Sequence, residues 1–260
     1  MERLLKFSVI TPSYNQASFI EQTLLSVKEQ NYCDLEHIVV DGASKDGTVQ
    51  ILQHYASRAG WSHLRWISEP DHGQTAAINK GFRMGSGDIF AYLCADDFYS
   101  PAIFSFVNSY FQEHPKVDLI YGHCTFTDVQ GKPLRHKKAV PFEHKRLLRG
   151  NFIWQPAVFF RALVWKQIGP LNEALHYAMD YEYWLRAARE CRIAAIDRHI
   201  AFYRFHQDSK SIRREKELLH EAYCVASKFG GGGVYSWYLH HVYWPNTSGL
   251  KRRLFSLIQR

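Results

Sequence analysis

The first half of the chain alternates between short apolar runs and longer amphipathic segments. Each apolar run ends in polar, turn-forming residues, which is typical of a buried strand. Each longer segment repeats its apolar residues every three or four positions, which predicts a helix with one buried face. Strands are predicted at Phe7–Thr11, Glu36–Val40, Leu64–Ser68 and Asp88–Leu93, and helices at Ala17–Gln30, Thr48–Ala59, Gln74–Met84 and Pro101–His114. This alternation predicts βαβ units and a mostly parallel sheet.

The pattern becomes less regular after His114. Extended segments are predicted at Leu119–Asp128, Gln155–Phe160 and Ile193–Phe205, and helices at Asp180–Cys191 and Lys210–Phe229. The glycines of 230–233 then predict a flexible break before an aromatic and basic tail. We therefore expect one α/β domain over residues 1–229 and a C-terminal tail over residues 230–260.

Basic residues outnumber acidic residues in this chain. The 32 Lys and Arg against 25 Asp and Glu give a net charge of +7 and a pI near 9.1. Much of the excess lies in residues 132–149, where seven basic residues stand against Glu143 alone. Such a balance indicates an anionic partner, which means phosphates, nucleic acid or an acidic membrane face. The sequence has no zinc-finger, helix-turn-helix or RNP-like pattern, so nucleic-acid binding is not expected.

The cysteines and the N-terminal residues indicate the cellular compartment in which the protein is expected. The five cysteines are scattered and form no CxxC pair, which argues against a disulfide framework or a zinc site and for a reducing compartment. The apolar stretch before Pro12 is too short for a signal sequence, and no run approaches the ~20 apolar residues of a membrane span. We expect a cytoplasmic protein.

Polar residues follow each of the four predicted parallel strands. The strand ends read TPSYN from residue 11, DGASKDGT from residue 41, EPDHGQ from residue 69 and ADD from residue 95. Ligands of open α/β sheets bind outside the carboxyl ends of the strands, so four such loops on one rim predict a binding site.

The adjacent carboxylates Asp96 and Asp97 end the most apolar of these strands. A divalent cation would neutralise them, and Mg²⁺ and Mn²⁺ prefer oxygen ligands, including substrate phosphates. The alternative is that one of them caps the helix after Pro101 or faces water. The three other polar loops on the same rim favour the metal site.

Four motifs resemble a known family. VITPSYN, VVDGASKDGT, SEPDHGQTAAINKG and LCADD resemble, in order and spacing, the successive motifs of the family 2 glycosyltransferases. The resemblance covers roughly residues 6–210. It implies an α/β GT-A fold, with a mostly parallel, Rossmann-like sheet flanked by helices, a mixed acceptor-side half and a C-terminal helical tail. The nucleotide-sugar half would span about 1–128 and the acceptor half about 129–229.

The same resemblance implies roles for the strand-end residues. The residues expected to contact a nucleotide-diphospho-sugar donor are Pro12, Tyr14, Asn15, Asp41 and Asp96. Asp41 would hydrogen-bond the base, and Asp96 the ribose or the metal. Asp97 would bind the Mn²⁺ or Mg²⁺ that holds the diphosphate. Because the sequence reads Ala-Asp-Asp and not Asp-x-Asp, the division of duties between the two acids stays open.

The catalytic base is expected at the start of the helix that contains MDYEYW. The resemblance implies that Asp180 removes the proton from the acceptor hydroxyl, a task that requires a carboxylate within hydrogen-bond reach. Helix capping is the alternative for Asp180. Glu182 is the second candidate, although its spacing also suits an ion pair with Arg186.

Three further residues are expected near the acceptor or the metal. Gln155 stands at a position that resembles the one where the family's acceptor pocket closes. Trp154 would stack on a sugar face, or it would simply pack in the core. His206 resembles a residue of the loop that follows the acceptor half. It would complete the metal site or contact the diphosphate, and a plain surface histidine is the alternative.

These features predict an inverting glycosyltransferase, because one base opposite one leaving group suits a single displacement. The family resemblance implies a saccharide or lipid-linked acceptor in bacterial surface-polysaccharide or O-antigen assembly. The alternatives are a sugar nucleotidyltransferase, whose Gly-rich phosphate loop is not found after the first strand, and a non-catalytic nucleotide- or polysaccharide-binding module. The tail predicts either peripheral contact with the inner membrane face or packing on the domain or on a homodimer partner.

Overall fold

A mixed nine-stranded sheet runs through the part of the chain that the structure describes, residues 4–207 and 209–231 of a computed structural model. The strands are β1 Phe7–Ser13, β2 Leu35–Asp41, β3 Leu64–Ser68, β4 Ile89–Tyr92, β5 Phe98–Tyr99, β6 Leu119–Thr127, β7 Pro133–Lys137, β8 Val158–Arg161 and β9 Ile193–Arg204. The helices are α1 Ile20–Lys28, α2 Thr48–Ala56, α3 Gln74–Met84, α4 Ile103–Glu113, α5 His144–Leu147, α6 Ala162–Ile168, α7 Met179–Glu190, α8 Lys210–Arg213 and α9 Glu215–Lys228. The predicted tail beyond residue 231 lies outside the described residues.

The first four strands form the parallel half of the sheet. They lie in the order β3-β2-β1-β4, and every neighbouring pair among them is parallel. All seven residues of β1 are buried, as expected for a strand covered on both faces. The prediction of a parallel sheet for the first half is confirmed, and its strand ends lie on one rim.

The second half adds mixed pairings to the same sheet. β8 is antiparallel to both β4 and β6, whereas β9 is parallel to β6 and antiparallel to β5. β6 also pairs with β7 in an antiparallel hairpin. The long strand β9 therefore runs back to the rim that carries the segment between β4 and β5.

Several predicted helices and strands shift by one to three residues at their ends, and two predicted elements differ further. The strand expected at Gln155–Phe160 begins only at Val158, because Gln155–Ala157 forms a 3₁₀ turn with a proline in its first turn. The helix expected from Lys210 is broken at Arg214, whose φ of −129° and ψ of 43° are not helical. The sequence did not indicate β5, β7, α5 or α6, all of which are short.

The sheet separates two apolar cores because successive strand residues face opposite sides. Phe90 and Tyr92 of β4 belong to the core that includes α3, α6 and α7, whereas Ile89 and Ala91 belong to the core that includes α4. Trp184 of α7 is fully buried in the first of these cores. Packing of α7 on the Tyr92 face brings its first turn beside the end of β4. No helix among the described residues combines the length and apolar character that a bilayer span requires.

Candidate active site

Hydrogen bonds join the loops after β1 and β2 into one surface. The backbone N–H of Asn15 donates to Ser44 Oγ at 2.7 Å, and the N–H of Lys45 donates to Asn15 Oδ1 at 3.0 Å. Asn15 adopts a left-handed φ of 53°, which asparagine tolerates better than most residues. Its side chain therefore shapes the loop, and its predicted donor contact stays a prediction.

Tyr14 and Gly42 line the same surface. Tyr14 is 63% exposed, so its aromatic ring is accessible at the rim. Pro12, two residues earlier, is buried within β1. A Cβ atom at Gly42 would lie 3.0 Å from Asp71 Oδ2 and 3.3 Å from the Tyr14 ring. A side chain at this position would crowd both neighbours, so glycine suits the close approach of the loops after the first three strands.

Asp41 ends β2 and is fully buried. Its carboxylate accepts hydrogen bonds from the N–H of Ser44 at 2.9 Å, from the hydroxyl of Ser44, and from the hydroxyl of Ser68 at 2.7 Å. These bonds tie the ends of β2 and β3 together. Recognition of a nucleotide base by Asp41 stays a prediction.

Asp96 and Asp97 lie together directly after β4. Asp97 is only 1% exposed, and ligand atoms of Cys94, Asp96 and Asp97 all lie within 4.8 Å of one another. Burial, and then the neighbouring Asp96 carboxylate, raise the pKa of Asp97 well above its usual value. A divalent cation would offset this penalty, and two carboxylates form the hard donor set that Mg²⁺ and Mn²⁺ prefer. These residues thus fit the predicted metal.

The end of β9 brings His206 to the acid pair. Its Nε2 lies 2.9 Å from Asp96 Oδ2, and its ring packs 4.8 Å from the ring of Phe19. His206 is buried, so it is not the plain surface histidine of the alternative. Whether it binds metal or diphosphate stays a prediction.

Arg204 is a site residue that the sequence did not single out. Its backbone N–H donates to Asp97 Oδ1 and its Nε donates to the carbonyl of Asp96, both at 2.8 Å. The guanidinium lies between the rings of Phe19 and Phe98, at 4.9 and 5.3 Å. It also donates to Gln22 Oε1 and to the carbonyl of Val129. The basic residue two positions before His206 was the available signal.

Asp180 lies in the first turn of α7 and is half-buried. Asn151 Nδ2 donates to its Oδ2 at 3.3 Å, and the N–H of Tyr181 donates to its Oδ1 at 2.7 Å. Burial outweighs these bonds and raises the pKa of Asp180 to about 6. Burial, and to a smaller extent the charge of Asp180, raise the pKa of Tyr92 and Cys94, so Asp180 lies within electrostatic range of the end of β4.

Glu182, the second candidate for the base, has another task. Both of its oxygens accept hydrogen bonds from Arg186, at 2.9 to 3.0 Å. The same guanidinium donates to the carbonyls of Ile168 and Pro170. The predicted ion pair is confirmed, and the choice of Asp180 over Glu182 as the base stays a prediction.

Glu221 of α9 is a second residue that the sequence did not reveal. Its carboxylate accepts the backbone N–H groups of His176, Tyr177 and Ala178, at 2.9, 2.6 and 2.6 Å. A carboxylate at this end also complements the dipole of α7. Because Glu221 is distant in sequence from the start of α7, no local motif predicts this contact.

The loop over 151–155 links Asp180 to β4. Gln155 Nε2 donates to the carbonyl of Tyr92 at 2.5 Å, and Cys94 Sγ lies 3.6 Å from Gln155 Oε1. Trp154 is partly buried, with its ring edge-on to Phe126 at 4.8 Å. Gln155 therefore contacts the end of β4 directly, whereas Trp154 packs against Phe126 of β6. Contact of either residue with an acceptor stays a prediction.

Comparison with known proteins finds glycosyltransferases among the relatives of this chain. The chain is 30% identical over 181 residues to a PGL/p-HBAD biosynthesis glycosyltransferase of Mycobacterium bovis, covering 69% of this chain and 68% of the relative. It is also 30% identical over 227 residues to an uncharacterized glycosyltransferase of Rickettsia felis, but spans only 36% of that protein's length.

Two solved structures share the fold. S. aureus TarS, residues 1–349 in complex with UDP-GlcNAc, has a TM-score of 0.71 at 18% identity over 96% of this chain and 76% of that one. The mannosyltransferase PcManGT of Pyrobaculum calidifontis, in complex with GDP-Man and Mn²⁺, has a TM-score of 0.68 at 19% identity over 93% and 71%. The predicted GT-A fold is confirmed. The sequence profile of glycosyl transferase family 2 matches residues 8–168, and the chain belongs to that family.

Proposed function

We propose that this protein is a metal-dependent, inverting glycosyltransferase that moves a sugar from a nucleotide-diphospho-sugar to a hydroxyl acceptor. One observation carries the proposal. The half-buried carboxylate of Asp180, whose pKa burial raises to about 6, lies in the first turn of α7, which packs in one core with Tyr92 of β4, and the acid pair Asp96 and Asp97 follows that same strand. A base and a diphosphate site on one rim are what a direct displacement at a sugar carbon requires.

The donor would lie across the loops after β1, β2 and β4. The exposed ring of Tyr14 offers a face on which a nucleotide base stacks, and Pro12 and Asn15 shape the loop beneath it. Asp41 would meet the base and Asp96 the ribose or the metal. The complexes of TarS with UDP-GlcNAc and of PcManGT with GDP-Man support a nucleotide-sugar donor, without specifying the sugar.

Asp97, with Asp96 and His206, would hold the cation. A bound Mn²⁺ or Mg²⁺ supplies positive charge to the diphosphate as it leaves. The Mn²⁺ in the PcManGT complex supports this assignment. Arg204 keeps the two acids in place through its hydrogen bonds to the Asp96 carbonyl and the Asp97 carboxylate.

Asp180 would act as the general base. Its carboxylate takes the proton of the acceptor hydroxyl as the oxygen forms a bond to the anomeric carbon. The bond from that carbon to the phosphate oxygen breaks, and its electron pair leaves with the nucleoside diphosphate. A pKa near 6 makes Asp180 a stronger base than an ordinary carboxylate while keeping it mostly ionised at neutral pH.

The acceptor would enter along the loop over 151–155, with Gln155 closing the pocket and Trp154 at its edge. We extend the proposal to a saccharide or lipid-linked acceptor in the assembly of a bacterial surface glycan. The Mycobacterium relative, named for PGL/p-HBAD biosynthesis, supports a glycan of this broad kind.

The test is release of nucleoside diphosphate from a panel of nucleotide-sugars, with Mn²⁺, with Mg²⁺ and with a chelator. We expect slow, cation-dependent release from one donor, and NMR of the product with an accepted sugar should show an inverted anomeric carbon. Release that is equal in Asp180→Asn and wild type, with an acceptor present, would contradict the role of the base. A retained anomeric configuration would contradict the single displacement.

A further inference from the structure

The β6–β7 hairpin and the segment after it concentrate the positive charge of the protein. Residues 132–149 carry seven Lys and Arg and one Glu, so they supply six of the seven net positive charges of the chain. The catalytic geometry above uses none of these side chains, and the described structure pairs none of Lys132, Lys138 or Lys145 with a carboxylate.

The turn of this hairpin is held in a fixed shape. Asp128 Oδ1 accepts the N–H groups of Gln130 at 3.0 Å and Lys132 at 2.8 Å. The guanidinium of Arg204 donates to the carbonyl of Val129 in the same turn. The backbone is thus satisfied within the protein, and the side chains of the turn are presented outward.

Exposure alternates along β7. Leu134, His136 and Lys138 are exposed, whereas Arg135 and Lys137 are half-buried. Because strand side chains alternate between two faces, the three exposed residues share one face. Val129 and Lys132 are exposed in the adjoining turn. We name Val129, Lys132, Leu134, His136 and Lys138 the hairpin strip.

The hairpin strip combines exposed apolar groups with cations. Val129 is 42% and Leu134 45% exposed, and they are two of the five large apolar side chains that stand exposed in the described structure. Exposed apolar side chains flanked by cations are the combination that an anionic lipid interface favours. A soluble polyanion would use the lysines alone and would leave Val129 and Leu134 in water.

We propose that the hairpin strip docks on the surface of a bilayer that contains anionic phospholipid. Lys132 and Lys138 would contact lipid phosphates, and Val129 and Leu134 would enter the boundary between headgroups and acyl chains. This docking does not rest on the proposed transferase activity, since it requires only the exposed residues of the hairpin.

Docking on this surface would bring the donor side of the protein near the bilayer. The guanidinium that binds the Val129 carbonyl also binds the carbonyl of Asp96, so one side chain, Arg204, joins the hairpin turn to the acid pair. The rim that carries the candidate active site would then lie close to the lipid headgroups.

The experiment is cosedimentation of the full chain with vesicles of phosphatidylcholine, with and without phosphatidylglycerol. The variants are Lys132→Gln with Lys138→Gln, and Val129→Ser with Leu134→Ser. The matched control is Leu163→Ser with Lys166→Gln on α6, which removes a 60% exposed leucine and an exposed lysine from another surface. Thermal unfolding of each variant reports whether it is folded.

We expect the wild type to sediment with the anionic vesicles and to remain in solution with the neutral ones. Loss of the two lysines should weaken binding roughly 30-fold, because each cation near an anionic surface contributes about a fivefold change in affinity. The apolar variant should weaken binding at low and at high salt alike, and the α6 control should bind like the wild type.

Three outcomes would overturn the proposal. Wild-type binding by both hairpin variants would mean that another segment, such as the tail, contacts the lipid. Equal weakening by the α6 control would mean that only overall charge and apolarity matter. Weakening by the lysine variant alone, with full competition by soluble polyphosphate, would assign the surface to a soluble anion instead of a bilayer.

Discussion

The carboxylate of Glu221 holds the backbone that leads into Asp180. Three consecutive N–H groups, those of His176, Tyr177 and Ala178, donate to this one side chain of α9. The charge of Glu221 also helps to raise the pKa of Asp180. A residue outside the family's match over 8–168 therefore influences both the position and the basicity of the candidate base.

Replacement of Glu221 tests this relationship. Glu221→Gln should lower kcat by roughly tenfold to a hundredfold, since small displacements of catalytic groups are costly. It should also move the acidic limb of the pH–rate profile to lower pH, because removal of a nearby negative charge lowers the pKa of Asp180. Glu217→Gln, on the exposed face of α9, is the control. A reduced rate with an unmoved limb would indicate a purely structural role.

Asp180→Asn should reduce turnover by roughly 10²–10⁴-fold while leaving donor affinity near the wild-type value. The carboxamide keeps the shape and loses the basicity. Wild-type activity should fall as the pH drops through about 6, because a protonated Asp180 cannot accept the acceptor's proton. Steady-state kinetics and calorimetric donor titrations measure the two effects. Glu182→Gln is the comparison. It should clearly lower the free energy of unfolding and only slightly lower turnover at saturating donor.

Asp180→Asn should also stabilise the folded protein at neutral pH. The pKa of Asp180 is higher in the folded state, at about 6, than the usual 3.8, so the folded state binds more protons between these values. Stability contributed by Asp180 is therefore present below pH 3.8 and lost as the pH rises through about 6. Asp180→Asn should raise the free energy of unfolding by about 1–3 kcal/mol at pH 8 and by little at pH 4. Urea unfolding at both pH values checks this, and an equal gain at both would contradict it.

Asp97→Asn should remove the response to divalent cations. The amide still accepts the N–H of Arg204 through its oxygen, so the fold is kept, but the charge that would bind the cation is gone. In the presence of a nucleoside diphosphate, Mn²⁺ should raise the unfolding temperature of the wild type and leave the variant unchanged. Asp197→Asn, a fully exposed carboxylate on β9, is the control. An undiminished Mn²⁺ response in Asp97→Asn would remove Asp97 from the metal site.

Arg204→Met should destabilise the protein by about 3 kcal/mol, because it leaves buried acceptors without donors. Arg204 is 2% exposed, and its guanidinium donates to Gln22, Asp96 and Val129. Arg198→Met, which changes an exposed arginine of the same strand, should cost less than about 1 kcal/mol. Chemical denaturation compares them, and equal losses would show that the buried hydrogen bonds contribute little.

The local pattern of the chain sufficed for the parallel half of the sheet. Hydrophobic period and turn residues depend on neighbours in sequence, so β1 to β4 and the acidic residues that follow them were predictable from short windows. The acid pair at Asp96 and Asp97 was predictable for the same reason, because strand direction alone fixes the rim at which it lies. The family resemblance supplied the expected roles, including that of Asp180.

The remaining features depend on contacts between distant parts of the chain. Arg204 reaches Asp96, and Glu221 reaches the start of α7, only after β9 and α9 have packed on the first half. The short elements β5 and β7 exist because longer strands offer them a hydrogen-bonded edge, which no local periodicity encodes. The raised pKa of Asp180 likewise follows from burial, a property of the packed chain. Residue type and spacing therefore determined which carboxylates were candidates, and tertiary packing determined how each of them is held and charged.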